Sequence, residues 1–245
     1  MSRVTFIGTS DAFGAGGRRQ AAILVETRAG GLLLDCAPTT GSGLAALGIP
    51  RDAVDAVAVT HFHGDHFAGI PQLVFAAHYE DQRSKPLVVA GPPGVEARVR
   101  RAAQSIGMDL EGRALHFPLR FAELAPGRAL ELAGARVDAF AAYHQPDSVP
   151  HGFAVAVGAR RLVYSGDTGW FDGLPGLVRG ADLCICECTF HEPSFEYHLD
   201  YRRLVERAGS FACGRLVLTH LGAQMAPLRG RLELETADDG LTIEL

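Results

Sequence analysis

The chain has 245 residues, of which 47% are hydrophobic, and its formal net charge is −5. This size allows one large domain or two small ones, and because the sequence has no internal repeat and no flexible linker we expect a single domain over residues 1–245. The overall charge does not attract phosphate, so a nucleic-acid partner would need a local basic rim. No signal-peptide core or bilayer-length apolar run is present, which predicts a cytoplasmic protein without a membrane partner.

The N-terminal part is predicted to form two strands joined by a long glycine-rich loop. Residues 4–7 and 21–26 have the apolar pattern of strands, and the loop spans residues 8–17. It lacks the G-x-G-x-x-G spacing and no helix opens directly after it, so a dinucleotide site is not favoured. A long loop between strands is more typical of a functional rim, where Arg18 or Arg19 could meet a phosphate.

The chain then continues as a strand and turns into a short helix. Residues 31–35 are predicted to be a strand that ends at Asp35, and Thr39 or Thr40 can cap a helix that runs to Leu47. Two roles for Asp35 remain open. Its carboxylate either caps the local turn or holds a metal-bound histidine in place.

Three histidines and one aspartate fall within six residues, directly after an apolar strand predicted for residues 56–59. They are His61, His63, Asp65 and His66. Imidazole nitrogen and carboxylate oxygen are the ligands that borderline metals such as zinc prefer. The end of a strand is also where open α/β sheets place their chemistry, so this motif predicts a metal site.

The rest of the chain alternates between predicted strands and helices. Strands are expected at 87–90, 115–119, 129–132, 136–142, 152–157, 161–164, 183–187, 216–219 and 231–235, and helices at 67–82, 95–106 and 199–208. Further candidate ligands follow three of these strands, namely His144, Asp167 and His220. His151 is an alternative to His144. We prefer His144 because it follows its predicted strand directly. Two similar halves of this kind predict two packed sheets with helices outside.

Several motifs in the chain resemble the metallo-β-lactamase fold superfamily and, more narrowly, its ribonuclease Z-like branch. The main one is Thr-His-Phe-His-Gly-Asp-His at residues 60–66, and the others lie at 68–71, 91–94, 164–168, 187–190, 218–220 and 239–240. They span nearly the whole chain in the expected order. The resemblance implies an α/β fold, a four-layer αβ/βα sandwich with two divalent metal ions in a cleft along one edge. Zinc is the expected metal, with manganese or iron as alternatives.

The same resemblance implies a role for each candidate residue. His61, His63 and His144 would hold one ion, Asp65, His66 and His220 the other, and Asp167 would bridge them. Asp65 would also orient the attacking water. His198 matches a histidine of the branch that is proposed to act on the leaving group, although a surface position at the start of a helix is the alternative.

The resemblance implies a hydrolase of phosphodiesters, acting on RNA or on a small or cyclic phosphodiester. Hydrolysis of lactones, esters or thioesters is one alternative, and an iron-dependent redox enzyme of the same fold is another. Ribonuclease Z is known for a long arm that clamps tRNA, whereas the interval from Gly94 to His144 has room only for a helix and a few strands. This departure argues against precursor tRNA. Members of the branch often form dimers, so a homodimer is possible.

Overall fold

The computed structural model describes residues 2–245 and contains two mixed sheets of seven strands each. The strands are β1 (Arg3–Gly8), β2 (Ala22–Glu26), β3 (Gly31–Leu34), β4 (Ala56–Ala58), β5 (Leu87–Gly91), β6 (Leu119–Glu123), β7 (Leu130–Leu132), β8 (Ala135–Ala141), β9 (His151–Val157), β10 (Arg160–Tyr164), β11 (Leu183–Glu187), β12 (Leu216–Thr219), β13 (Glu235–Thr236) and β14 (Thr242–Glu244). The helices are α1 (Thr40–Ala46), α2 (Gly64–Phe67), α3 (Ile70–Tyr79), α4 (Val95–Ser105), α5 (Leu174–Val178) and α6 (Tyr201–Arg207).

The two sheets pack face to face, and the helices cover their outer surfaces. The first sheet has the order β14-β1-β2-β3-β4-β5-β6, and the second has the order β13-β12-β11-β10-β9-β8-β7. Phe6 and Phe153 belong to the core between the sheets, whereas Leu44, Val99 and Leu204 belong to the two outer cores under the helices. The predicted four-layer α/β sandwich is confirmed.

Burial on both faces explains why the central strands are apolar throughout. Every residue of β3 and β4 is buried, as is every residue of β11. A strand covered by helices on one face and by a second sheet on the other has no solvent side, so it shows no polar alternation. The neighbouring pairs β3–β4 and β10–β11 are parallel, which brings the ends of these strands to a common edge.

Three predicted elements differ from the structure. The helix predicted at 67–82 is shortened to α3, Ile70–Tyr79, and before it the N–H of Gly69 donates to the carbonyl oxygen of Cys36 at 2.9 Å instead of to a helical carbonyl. The strand predicted at 115–119 begins only at Leu119, in register with Leu87. The strand predicted at 231–235 reduces to two residues that pair with β12.

The interval between Gly94 and His144 holds α4 and the strands β6, β7 and β8, as its length predicts. Within residues 2–245, no helix combines the length and the apolar character needed to cross a bilayer.

Candidate metal centre

The histidine motif lies in the turn between β4 and α2. His61 and His66 are fully buried, Asp65 is buried in the first turn of α2, and His63 is partly exposed. This short connection turns the four side chains toward the edge of the sheets, where residues from the second sheet meet them.

The first group of candidate ligands consists of His61, His63, His144 and Asp167, whose ligand atoms all lie within 4.8 Å of one another. His144 Nε2 is 3.1 Å from His63 Nδ1. His151 lies at the start of β9 and is not part of this group. The geometry therefore favours His144 over His151.

The second group consists of Asp65, His66, Asp167 and His220, again with ligand atoms within 4.8 Å of one another. His66 Nε2 is 3.3 Å from Asp65 Oδ2 and 3.3 Å from Asp167 Oδ2. His220 Nε2 is 3.3 Å from Asp65 Oδ2 and 3.5 Å from Asp167 Oδ1. Asp167 is common to both groups, which is the arrangement expected of a bridging carboxylate.

Carboxylate and carbonyl oxygens fix two of these imidazole rings. The Nδ1–H of His66 donates to Asp35 Oδ2 at 2.8 Å, and that of His144 donates to the carbonyl oxygen of Tyr197 at 2.8 Å. Because these oxygens only accept, the proton must sit on Nδ1, and each Nε2 keeps a lone pair toward the centre.

Threonine hydroxyls fix two further rings in the same way. Thr60 Oγ1 donates to Asp35 and lies 3.0 Å from His61 Nδ1. Thr189 Oγ1 donates to the Glu187 carboxylate and lies 2.9 Å from the Nδ1 of His220. Each hydroxyl donates its hydrogen to a carboxylate, so it can only accept a hydrogen bond from the Nδ1–H of the imidazole. The Nε2 atom of each ring is therefore again free to bind a metal.

Three buried atoms of the centre have no hydrogen-bond partner among residues 2–245. They are His61 Nε2, His66 Nε2 and Asp167 Oδ1. An unpaired buried polar atom lowers the stability of the folded state by roughly 1–3 kcal/mol, so three such atoms close together indicate that a binding partner belongs between them. Coordination of a cation satisfies all three, and the donor set of nitrogen and carboxylate oxygen suits zinc.

The electrostatics of the centre also fit a cation. Burial lowers the pKa of His61. Burial acts in the same direction on His66, but the surrounding carboxylates, Asp167 first, outweigh it and raise the pKa of that residue. For Asp65, burial is outweighed by His66 and His220, which hold its pKa below the usual range. The carboxylates therefore stay ionised and draw positive charge to the centre.

His198 lies beside the second group. It is not part of a helix, so the alternative of a surface residue at a helix start does not describe it. Its Nδ1 is 2.8 Å from Glu187 Oε1. Burial opposes the shift, but the carboxylates of Glu187 and then Asp167 raise the pKa of His198 to about 9. Sequence analysis did not single out Glu187, although it ends a buried strand in one of the motifs that carry the resemblance.

The structure places Asp35 where a holding role for His66 requires it, and its carboxylate also accepts from Tyr164 in the second sheet. Arg18 is a correction. It is buried, donates to the carbonyl oxygen of Ala237 and pairs with Asp238, so it lies away from any substrate phosphate. Arg19 donates through Nε to the carbonyl oxygen of Ile7 and is partly exposed, and its contact with a phosphate stays a prediction.

Comparison with known proteins agrees with the fold. The family model described as "Beta-lactamase superfamily domain" matches residues 31–221. Among solved structures, the metallo-beta-lactamase fold protein YhfI from Bacillus subtilis has a TM-score of 0.80 at 22% identity over 100% of both chains. Human tRNase Z, short form, has a TM-score of 0.73 at 22% identity over 99% of this chain and 98% of that one.

Fold and centre together define a metal-dependent hydrolase with a divalent-metal site. The chain belongs to the beta-lactamase superfamily. Within that superfamily it is similar to Ribonuclease Z of Bradyrhizobium diazoefficiens, with 29% identity over 91% of each chain. It is also similar to Ribonuclease Z of Halorubrum lacusprofundi, with 28% identity over 99% of this chain and 97% of the relative.

Proposed function

We propose that the protein is a two-metal phosphodiesterase of the ribonuclease Z type, acting on RNA or on a small or cyclic phosphodiester. One observation carries the proposal: two complete sets of ligands share the carboxylate of Asp167. The ribonuclease Z relatives, which align along nearly their whole length, support the choice of a phosphodiester over a lactone or thioester.

In this proposal each group of ligands holds one ion. His61, His63 and His144 bind the first, and the second group binds the other, with Asp167 between them. Zinc is the expected metal, and manganese or iron are alternatives. When bound, such a pair makes a water acidic enough to attack at neutral pH and neutralises the negative charge that develops on the phosphate.

Asp65 orients the attacking water and accepts its proton. Its carboxylate is buried and points at His66 and His220, 3.3 Å from the Nε2 of each. Because those imidazoles keep the pKa of Asp65 low, it remains an anion throughout the working pH range. An ionised carboxylate fixed in this way can accept hydrogen bonds only, which suits the orientation of a water.

His198 protonates the oxygen that leaves. Glu187 accepts from Nδ1–H, so the proton that the charged ring can donate to the substrate is the one on Nε2. A pKa of about 9 keeps the ring charged at neutral pH, and it is 16% exposed, enough to meet a substrate. Asp65 and His198 thus act as base and acid beside the same phosphate.

The size of the substrate stays open between RNA and a small phosphodiester. The part of the chain between β5 and His144 is folded onto the sheet as α4 and β6–β8 and supplies no clamp for tRNA. Arg18 is buried and adds nothing to a basic rim. The predicted homodimer remains a proposal, which the mass measured by light scattering tests.

The test is a substrate panel on protein loaded with zinc or with manganese. We expect hydrolysis of bis(p-nitrophenyl) phosphate and of a short RNA or a cyclic nucleotide, with lactones and thioesters turned over far more slowly. The His151→Ala variant is a matched control, because its imidazole lies outside both groups and should leave the rates within about twofold. Turnover of lactones or thioesters with no phosphodiester cleavage contradicts the proposal, and so does oxygen consumption by an iron-loaded form.

A further inference from the structure

An apolar cavity opens beside the metal centre, and the mechanism above does not use it. Its volume is about 470 Å³, within the range of roughly 300–1,000 Å³ that is typical of small-molecule sites. His198 and His220 contribute to its lining, so the cavity adjoins the place where the leaving oxygen is protonated. Phe13, Phe190 and Phe195 also line it, which makes aromatic rings its main apolar surface.

Phe13 is held at this cavity although its side chain is 92% exposed. The loop that carries it is fixed by Asp11, whose Oδ1 accepts from the backbone N–H of Phe13 at 3.2 Å and of Ala15 at 3.1 Å. The same loop is tied to the segment of the last metal ligand, because Leu221 N donates to Thr9 O at 2.9 Å. The loop backbone therefore holds Phe13 at the edge of the cavity, and its ring gains burial only when something covers it.

Two polar groups accompany the aromatic surface. Gln224 Oε1 accepts from the backbone N–H groups of His191 and Glu192, so the amide nitrogen of Gln224 points away from them. Asp11 Oδ2 lies 3.3 Å from the position that a Cβ at Gly222 would occupy. Neither Gln224 Nε2 nor Asp11 Oδ2 has a hydrogen-bond partner within residues 2–245. The cavity thus offers one donor and one acceptor.

The charge of Asp11 decides which part of a substrate fits. A carboxylate repels phosphate, so the cavity suits an uncharged group that donates N–H. A planar ring with polar edges satisfies both the aromatic walls and the two polar groups. Nucleobases have this character, and they stack on aromatic side chains with little dependence on base identity.

We propose that this cavity binds a nucleobase, which stacks on Phe13 and hydrogen-bonds to Asp11 and Gln224. The base belongs to the nucleoside whose oxygen leaves beside His198. The proposal rests on the phosphodiesterase function proposed above and narrows its substrate to nucleotides. Because a carboxylate accepts only, the base must present an N–H to Asp11, which the amino group of adenine does and the ring N–H of uracil can also do.

Titration calorimetry on the zinc-loaded protein tests this directly. Adenosine monophosphate and ribose 5-phosphate share the sugar and the phosphate and differ by the base. We expect adenosine monophosphate to bind at least about tenfold more tightly, and Phe13→Ala to remove most of that difference without changing the affinity for ribose 5-phosphate. Tyr79→Ala is the matched control, since Tyr79 is 56% exposed but does not line the cavity.

A second variant separates base recognition from general loss of structure. Asp11→Asn keeps an Oδ1 that accepts from the loop but replaces the accepting Oδ2 by a donating Nδ2, so it should weaken the binding of adenosine monophosphate several-fold relative to ribose 5-phosphate. Equal binding of adenosine monophosphate and ribose 5-phosphate overturns the proposal, even if the enzyme hydrolyses phosphodiesters. Conversely, tight base-dependent binding that Phe13→Ala removes supports the cavity assignment even if no phosphodiester is cleaved, so the two proposals fail separately.

Discussion

The two ligand groups differ in how deeply they are buried and in how firmly their rings are held. All members of the second group are buried, whereas the first contains the partly exposed His63. His66 donates to an ionised carboxylate, but within residues 2–245 the ring of His63 contacts only His144 by a hydrogen bond. A ligand that is already oriented loses less entropy on coordination, so the second group should bind its ion more tightly.

The largest effect is expected at Asp167, the residue that the two groups share. Asp167→Ala should reduce the metal content below one ion per chain and lower phosphodiester hydrolysis on the order of 10³-fold or more, since both ions lose a ligand. Elemental analysis and initial rates measure the two effects. The exposed Asp172 provides the control, as Asp172→Ala should retain metal and activity. Retention of both ions by the Asp167 variant would disprove the bridging role.

Variants that each lack one ligand then rank the two groups by their affinity for metal. After dialysis against a weak chelator, His63→Ala should retain one ion per chain, because the second group is intact. His66→Ala should lose affinity at the second group by more than about 100-fold, beyond the effect of removing a supporting residue. Metal content measured at several chelator concentrations gives the order. If His66→Ala retains its ions better than His63→Ala, the ranking is reversed.

The sequence could predict which candidate ligands lie together because each follows an apolar strand. His61, His63, Asp65 and His66 lie in one motif, and His144, Asp167 and His220 come after three later strands. Parallel strand ends meet at one edge of a sheet, so position in the chain was sufficient to bring these residues together. The structure places His144, the preferred candidate, with the first group and leaves His151 outside both groups.

Apart from Asp35, the supporting contacts were out of reach of the sequence because they depend on how the two sheets pack. Glu187 reaches His198, and Tyr164 in the second sheet reaches Asp35, 129 positions earlier in the chain. Arg18 fails as a prediction for the same reason: its partner Asp238 lies on the C-terminal segment, which folds back onto the loop. A sequence shows that an arginine is near a functional rim, but not which carboxylate takes its guanidinium.

A moderate effect is expected at His198, which supports the second group without being one of its ligands. His198→Ala should lower the rate about 100-fold for a substrate with an alkoxide leaving group, and much less for a p-nitrophenyl ester, whose leaving group needs no proton. Metal content should not change. A similar loss on both substrates contradicts the role of an acid and points to altered structure.

The pH dependence of His198 provides a check with the metal removed. Proton NMR of the metal-free protein should show His198 titrating near pH 9, and Glu187→Gln should lower that pKa. The folded value lies above the unfolded value of about 6.5, so the stabilisation by this pair is complete below pH 6.5 and is lost as the pH rises through 9. In urea unfolding, the stability difference between wild type and Glu187→Gln should therefore narrow over this range, and a constant part should remain from the bonds of Glu187 to Thr168 and Thr189.

The smallest effects are expected at Asp35 and Thr60, the residues that hold the rings of His66 and His61. Asp35→Asn replaces the charged partner of His66 and should weaken the second group about 10- to 100-fold. Thr60→Val removes the neutral hydroxyl that accepts from His61, and it should weaken the first group by only a few-fold, because a bond to an ionised acceptor is about twice as strong as a neutral one. Tyr164→Phe is the control, since it removes another hydrogen bond to Asp35 but leaves His66 in contact. Equal losses for the Asp35 and Thr60 variants would show that ring orientation, and not the charge of the supporting group, sets the difference between the two sites.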